Sequence, residues 1–282
     1  MLALSVVPNP SESSPLPLEN PIVDPVAGPP RTPPPIYDPI AESRVALWLV
    51  GVVLLTLTIV KPLGGIPVVG TVGFTLAAVL QLYLPLWRAG KLGRDYDFVG
   101  LHLRSWRRDL KIVLVLAAVS YPPFIIGHHL YMTQAHDWLA SFGFNGLAGF
   151  VPRRVLAPQW PVDLWSLGKA LWWFAGIAAT HTLGVALPEE TFYRGYLQPH
   201  LEARLPPRLR IFGIGRAAIL CAFLFAVGHF LGEWNPLRLG PFFPALVFAW
   251  QRNATKSIVG AIAFHALCNT LGEVLFSLYR PA

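Results

Sequence analysis

The chain has 282 residues, of which 54% are hydrophobic and only 13% charged, whereas a soluble domain carries about 25% charged residues. That deficit of charge excludes an ordinary water-solvated globule and points to lipid as the solvent for most of the chain. The net charge of +7 does not argue for nucleic acid as a partner, because the basic residues sit in short loops between apolar runs, where they orient a chain across a membrane. The two cysteines, Cys221 and Cys268, both lie in apolar segments, which excludes a disulfide framework and a cysteine-rich zinc site.

Residues 1–43 hold twelve of the 28 prolines and no sustained apolar periodicity, so they read as a Pro-rich disordered tail. The opening MLALSVV is too short and lacks the charged start of a secretory signal, and the tail is expected to be retained. Apolar runs follow at 45–60, 66–87, 112–131, 164–187, 211–231, 239–251 and 257–277, each bounded by charge or by Gly/Pro punctuation. They predict an all-α, polytopic helix bundle over residues 44–282 with about seven (six to eight) transmembrane helices. The sixth run is short, with Pro241 and Pro244 near its start, and reads as a tilted or broken helix lining the protein interior.

Arg88, Lys91, Arg94, Arg104, Arg107, Arg108 and Lys111 make the loop after the second run the densest in basic residues, and this marks its side as cytoplasmic. Alternation puts Arg204, Arg208 and Arg210 on the same side, in agreement. It puts Arg153 and Arg154 outside, which fits less well. The N-terminus would then be cytoplasmic.

Three segments carry polar groups where lipid disfavours them. In VALPEETFYRGYLQ an apolar run meets Glu189, Glu190 and Arg194. A charge at membrane depth costs about 2.5 to 3.5 kcal/mol on insertion scales and needs a partner or a function. Glu190 and Arg194 have the favourable spacing and order for a helical ion pair. Glu189 lies about 100° further round a helix and is left over for chemistry, with Pro188 predicting a bend beside it. In FLFAVGHFL, Phe225 and His229 are one turn apart. In AFHALCNTLGE, His265 and Asn269 share one helical face. Singly, each of these also reads as interhelical hydrogen bonding or packing, and both glutamates would be ordinary at a wetted helix end.

Together they suit hydrolysis. A carboxylate beside a histidine activates water as a general base, while a second histidine and an amide donate hydrogen bonds to a developing oxyanion. Other polar groups weigh less. His181, one to two turns before Glu189, and Cys268, beside Asn269, read as packing residues. His128, His129, Tyr131 and His136, like Trp165, Trp172 and Trp173, read as an interfacial belt.

The patterns EExxxR (Glu189 to Arg194), FxxxH (Phe225 to His229) and HxxxN (His265 to Asn269) resemble, in order and spacing, the CAAX-protease and bacteriocin-processing family of glutamic-type intramembrane proteases. The resemblance covers residues 164–277. It implies an endopeptidase acting on a membrane-anchored protein, with Glu189 and His229 activating water, His265 and Asn269 stabilising the oxyanion, and Glu190, Arg194 and Phe225 in support. Members process prenylated proteins, mature bacteriocins or confer immunity to them, or remove C-terminal sorting tails. LPEETFYRGYLQ and the Pro-rich tail look most like the last branch, the myxosortases, which would place the chain in a bacterial inner membrane. No cofactor is favoured. Glu189, His229 and His265 would be the ligands if zinc bound, although the HExxH spacing of a zincin helix is missing. The competing readings are a noncatalytic scaffold or immunity protein of the same fold, and a transporter using the buried acids and histidines as an ion path.

Overall fold

The computed structural model describes residues 37–60, 62–63, 66–152, 155–156, 164–206 and 214–281. Up to residue 36 the Pro-rich tail lies outside the described residues, as do Arg153, Arg154, Arg208 and Arg210. The structure is a bundle of helices: α1 (Pro39–Val60), α2 (Pro67–Lys91), α3 (Trp106–Thr133), the short α4 (Ala135–Ser141) and α5 (Asn145–Ala148), α6 (Ser166–Arg204), α7 (Arg216–Leu231), α8 (Phe242–Thr255) and α9 (Val259–Leu278). One two-residue antiparallel ladder pairs Val155–Leu156 with Arg280–Pro281.

Each of the seven expected apolar runs forms a helix within its described residues. Five of them, α1, α2, α3, α6 and α9, are long and apolar enough to cross a membrane. The other two, α7 and α8, have 16 and 14 residues, about 24 and 21 Å at 1.5 Å per residue, short of a hydrocarbon core of about 30 Å. The interior position expected for α8 holds: Ala245, Phe248, Ala249 and Gln251 are buried.

Two boundaries differ from the sequence reading. Helix α1 begins at Pro39, so residues 39–43 of the expected tail are helical. There Glu42 is buried and accepts from both Arg88 Nε (2.8 Å) and Arg88 Nη2 (2.6 Å) on α2, and a helix end with such a partner has reason to form. The chain also does not bend away at Pro188. It runs on as α6 to Arg204, because the α-helical turn Leu187–Glu190 is flanked by two π-helical segments, Thr180–Ala186 and Thr191–Leu197. Leu187 N–H bonds to the Thr182 carbonyl and Gln198 N–H to that of Tyr193. These i to i−5 bonds shift the ladder around a proline that has no N–H to give.

The core forms where α1, α6, α7 and α8 meet, around Phe192, Tyr193, Tyr196, Leu197 and Phe225. Ala46, Ala217, Ala222, Ala245 and Ala249 are buried there as well, and such small side chains let membrane helices approach closely without a hydrophobic drive between them. Backbone meets backbone closely at Gly195, where a Cβ would meet the Val99 carbonyl oxygen at 2.7 Å. The turn Tyr96–Val99 thereby lies against the C-terminal half of α6, with Phe98 and His200 ring centroids 5.7 Å apart. The basic loop after α2 and the end of α6 at Arg204 therefore share one end of the bundle.

Gly195→Ala drives a methyl into that carbonyl and is expected to cost about 1 to 3 kcal/mol, the usual penalty of overpacking. An unfolding midpoint in detergent equal to the wild type's would contradict the close approach.

Candidate active site

The turn Leu187–Glu190 delivers two adjacent carboxylates to the bundle interior, and α9 delivers His265 opposite them. Glu190 is fully buried, and its Oε1 accepts from Arg194 Nη1 at 2.9 Å and from His265 Nδ1 at 2.8 Å. Because a carboxylate only accepts, the His265 proton facing it is on Nδ1, and the other ring nitrogen, Nε2, turns to Glu189. There the separation to Glu189 Oε2 is 3.7 Å, too long for a hydrogen bond. Glu189 Oε2 is buried and has no hydrogen-bond partner among the described residues. The two glutamates thus straddle one imidazole, although only Glu190 pairs with Arg194, as the spacing predicted.

Arg194 is itself fully buried. Besides Glu190 it donates to the Ala245 carbonyl of α8 at 3.3 Å, and its guanidinium lies 4.5 Å from the Phe225 ring and 5.2 Å from that of Phe248. Aromatic faces of this kind are each worth about 0.5 to 2 kcal/mol to a desolvated cation. Phe248 also stacks on His265, with centroids 4.8 Å apart and planes at 16°, while Phe225 meets the same imidazole edge-on at 6.0 Å. The site is therefore walled by rings that hold Arg194 and His265 in place and keep water from their flanks.

His229 lies on α7 one turn after Phe225. Its Nδ1 donates to the Phe225 carbonyl at 3.0 Å, which leaves Nε2 of the neutral ring with a free lone pair. It makes no ion pair with Glu189 among the described residues, yet the Glu189 carboxylate is near enough to act on it electrostatically. Asn269 is half-buried one turn beyond His265, and no hydrogen bond engages its amide among the described residues. The structure thus joins Glu189, Glu190, Arg194, His265 and Phe225 by direct contact. His229 and Asn269 stand beside this cluster with their polar atoms unclaimed by the carboxylates.

Three residues from the sequence reading fall elsewhere. His181 turns away from the site to Glu273, with Nε2 to Oε2 at 3.6 Å. Cys268 packs against the cluster of Val113, Phe248, Ala261 and Phe264. His129 bonds through Nδ1 to the Tyr279 hydroxyl at 2.8 Å, at the other end of α9. Glu189, His229 and His265, the set that would hold zinc, are not grouped as metal ligands among the described residues. Phe248 was missed by sequence reasoning, since an aromatic in an apolar helix carries no signal of its own. A second polar network was missed too. Tyr196 Oη donates to Glu42, and His200 Nδ1 donates to the Tyr196 carbonyl at 2.5 Å while its Nε2 pairs with the Tyr37 hydroxyl at 2.9 Å, tying the segment after Arg194 to α1.

Residues 171–271, which carry all three motifs, match the family model described as Type II CAAX prenyl endopeptidase Rce1-like. No curated protein and no solved structure matches the chain. The apolar helices make the protein an integral membrane protein, and the family implies a peptidase of CAAX type acting on protein within a bilayer. Over residues 171–271 the chain is thus similar to the Rce1-like type II CAAX prenyl endopeptidases.

Proposed function

We propose that this protein is a glutamic-type intramembrane endopeptidase whose catalytic groups are Glu189, His229, His265 and Asn269. The observation that carries this reading is the unequal state of two adjacent acids. Glu190 takes both a guanidinium and an imidazole on Oε1 and is fully enclosed, its Oε2 also lacking a partner, whereas Glu189 is partly exposed and its Oε2 has no hydrogen-bond partner among the described residues. A buried, unsatisfied carboxylate oxygen costs about 1 to 3 kcal/mol or more and persists where a ligand completes it. Water is that ligand here.

Glu189 takes a proton from this water, and the free lone pair of His229 Nε2 accepts the second hydrogen bond and orients the attack. As the hydroxide adds to the scissile carbonyl carbon, negative charge builds on its oxygen. Asn269 donates its amide N–H to that oxygen, and His265, when protonated, donates Nε2–H. The proton held by Glu189 then passes to the departing amine. Glu190 and Arg194 do not touch the reacting atoms. They fix the His265 ring so that Nε2, not Nδ1, faces the substrate. No step requires a metal. The substrate is a membrane-anchored protein, and the resemblance to the myxosortase branch favours a C-terminal sorting tail. The basic end of the bundle faces the cytoplasm of a bacterial inner membrane, with the N-terminus on the same side.

Glu189→Gln keeps the shape of the side chain and removes the base. Cleavage is expected to fall by about 100-fold or more with the protein still present in the membrane. Terminal-peptide mapping of membrane and secreted proteins should then find precursors that keep a segment trimmed in wild-type cells. Identical termini with the variant stably present would sink the peptidase reading in favour of a noncatalytic scaffold.

Arg194→Ala behaves differently. It leaves Glu190 charged and buried with one partner fewer, a loss of about 3 to 5 kcal/mol, so abundance and activity should fall together. Full abundance with activity lost would make Arg194 a catalytic group instead. For orientation, a cysteine replacing Lys91 should react with a membrane-impermeant thiol reagent only in inverted vesicles, and labelling of intact cells would reverse the assignment.

A further inference from the structure

At the basic end of the bundle, away from Glu189 and Glu190, two segments close on one another. Ile258 N–H bonds to the Gly100 carbonyl at 2.9 Å and Ser257 Oγ to that of His102 at 3.1 Å, which pins the loop before α3 to the turn between α8 and α9. Beside this seam is a cavity of about 100 Å³ lined by Gln198, Pro199, Glu202, Arg252, Asn253 and Lys256. None of these residues belongs to the three motifs. Gln198 is eight residues beyond Glu190 along α6, about 12 Å at the helical rise, so the cavity is separate from the peptidase centre.

Its polar groups are left incomplete in a pattern. Arg252 is half-buried and makes no hydrogen bond or ion pair among the described residues, and its Nε is enclosed without a partner. Room for the guanidinium depends on Gly100, where a Cβ would come within 3.2 Å of Arg252 Nε and Cζ. Lys256 is held near it by the end of α8, in a left-handed conformation (φ 62°) with its N–H on the Arg252 carbonyl. The amide nitrogen of the buried Gln198 donates to Glu202, to the Ala249 carbonyl and to Asn253, each at 3.1 Å. Its Oε1 remains a buried acceptor with nothing to accept. The dipole of α8 accounts for cations at its C-terminal end. It does not account for a cavity that gathers two cations, neither in a hydrogen-bonded ion pair among the described residues, with the Glu202 carboxylate within electrostatic reach of Arg252 and an orphan amide oxygen beside them.

That arrangement is complementary to a zwitterion with a phosphate at one end and an N–H-donating cation at the other, and the basic loops put it at the level of a membrane surface. We propose that the cavity holds a phospholipid headgroup carrying a primary amine, with its phosphodiester on Arg252 and Lys256 and its ammonium on Glu202 and Gln198 Oε1. Charge-assisted contacts to phosphate are the strong kind of hydrogen bond, and one such lipid would wedge α6 against α8 beside the peptidase centre.

The test uses the full chain, reconstituted in vesicles of equal phosphatidylethanolamine, phosphatidylglycerol and phosphatidylcholine, extracted in mild detergent and weighed by native mass spectrometry. Wild-type protein should retain phosphatidylethanolamine over the other two, and Arg252→Gln and Lys256→Gln should each lower that retention by about tenfold. Lys256 is exposed, so its variant folds and isolates the headgroup contact. Equal retention by wild type and both variants would overturn the site. Preference for phosphatidylglycerol would overturn the ammonium half of the assignment, and release of the lipid by millimolar inorganic phosphate would reassign the site to a free anion.

Discussion

The interaction on which the interior depends is the fully buried contact of Arg194 with Glu190. A guanidinium and a carboxylate withdrawn from solvent are stable only with partners on every side, and the surrounding elements supply them: the Ala245 carbonyl from α8, the rings of Phe225 and Phe248, and His265 Nδ1 from α9. One ion pair within α6 thereby acquires contacts to three other helices. In lipid, where apolar surface contributes little to helix association, such polar contacts and close small-residue packing decide which helices are neighbours.

The same pair sets the two adjacent glutamates apart. Glu190 occupies Arg194 and His265 Nδ1, which leaves Glu189 without a hydrogen-bond partner on Oε2 among the described residues and turns His265 Nε2 towards it at 3.7 Å. The two side chains are chemically identical and adjacent in sequence. Their surroundings differ, and the difference comes from the helix that carries them. Two π segments bracket the turn Leu187–Glu190, so that Pro188 is absorbed without a break and consecutive residues reach opposite nitrogens of one ring. Such bulges recur at functional sites, and here one lies on each side of the reactive turn.

A second anchor, outside the motif-bearing segment, secures α6 from the other flank. Glu42 of α1 takes Arg88 of α2 and Tyr196 of α6, and Gly195 admits the turn after α2 against the same stretch. Helices α1 and α2 and the turn Tyr96–Val99 thus brace the helix that carries Glu189 and Glu190. They also bring the basic loop to the end of α6, where the cavity lined by Gln198, Glu202 and Arg252 lies.

Sequence alone determined the features that composition and short periodicity dictate. Low charge and recurrent apolar runs meant a membrane helix bundle, because lipid leaves backbone polar groups no alternative to helix. The turn spacings of Glu190 with Arg194, Phe225 with His229 and His265 with Asn269 meant shared helical faces, because the helix period fixes them. Other features were decided only by tertiary structure. Glu42 looked like part of a tail until Arg88, 46 residues away, gave the helix a reason to begin there. Pro188 looked like a break because proline's local effect is legible and the compensating π segments are not. His181 was assigned to packing near the site, and only the fold showed that Glu273 on the neighbouring helix takes it instead. Phe248 and Arg252 carried no signal, since stacking on His265 and lining a cavity depend on contacts between helices far apart in sequence, which no local pattern encodes.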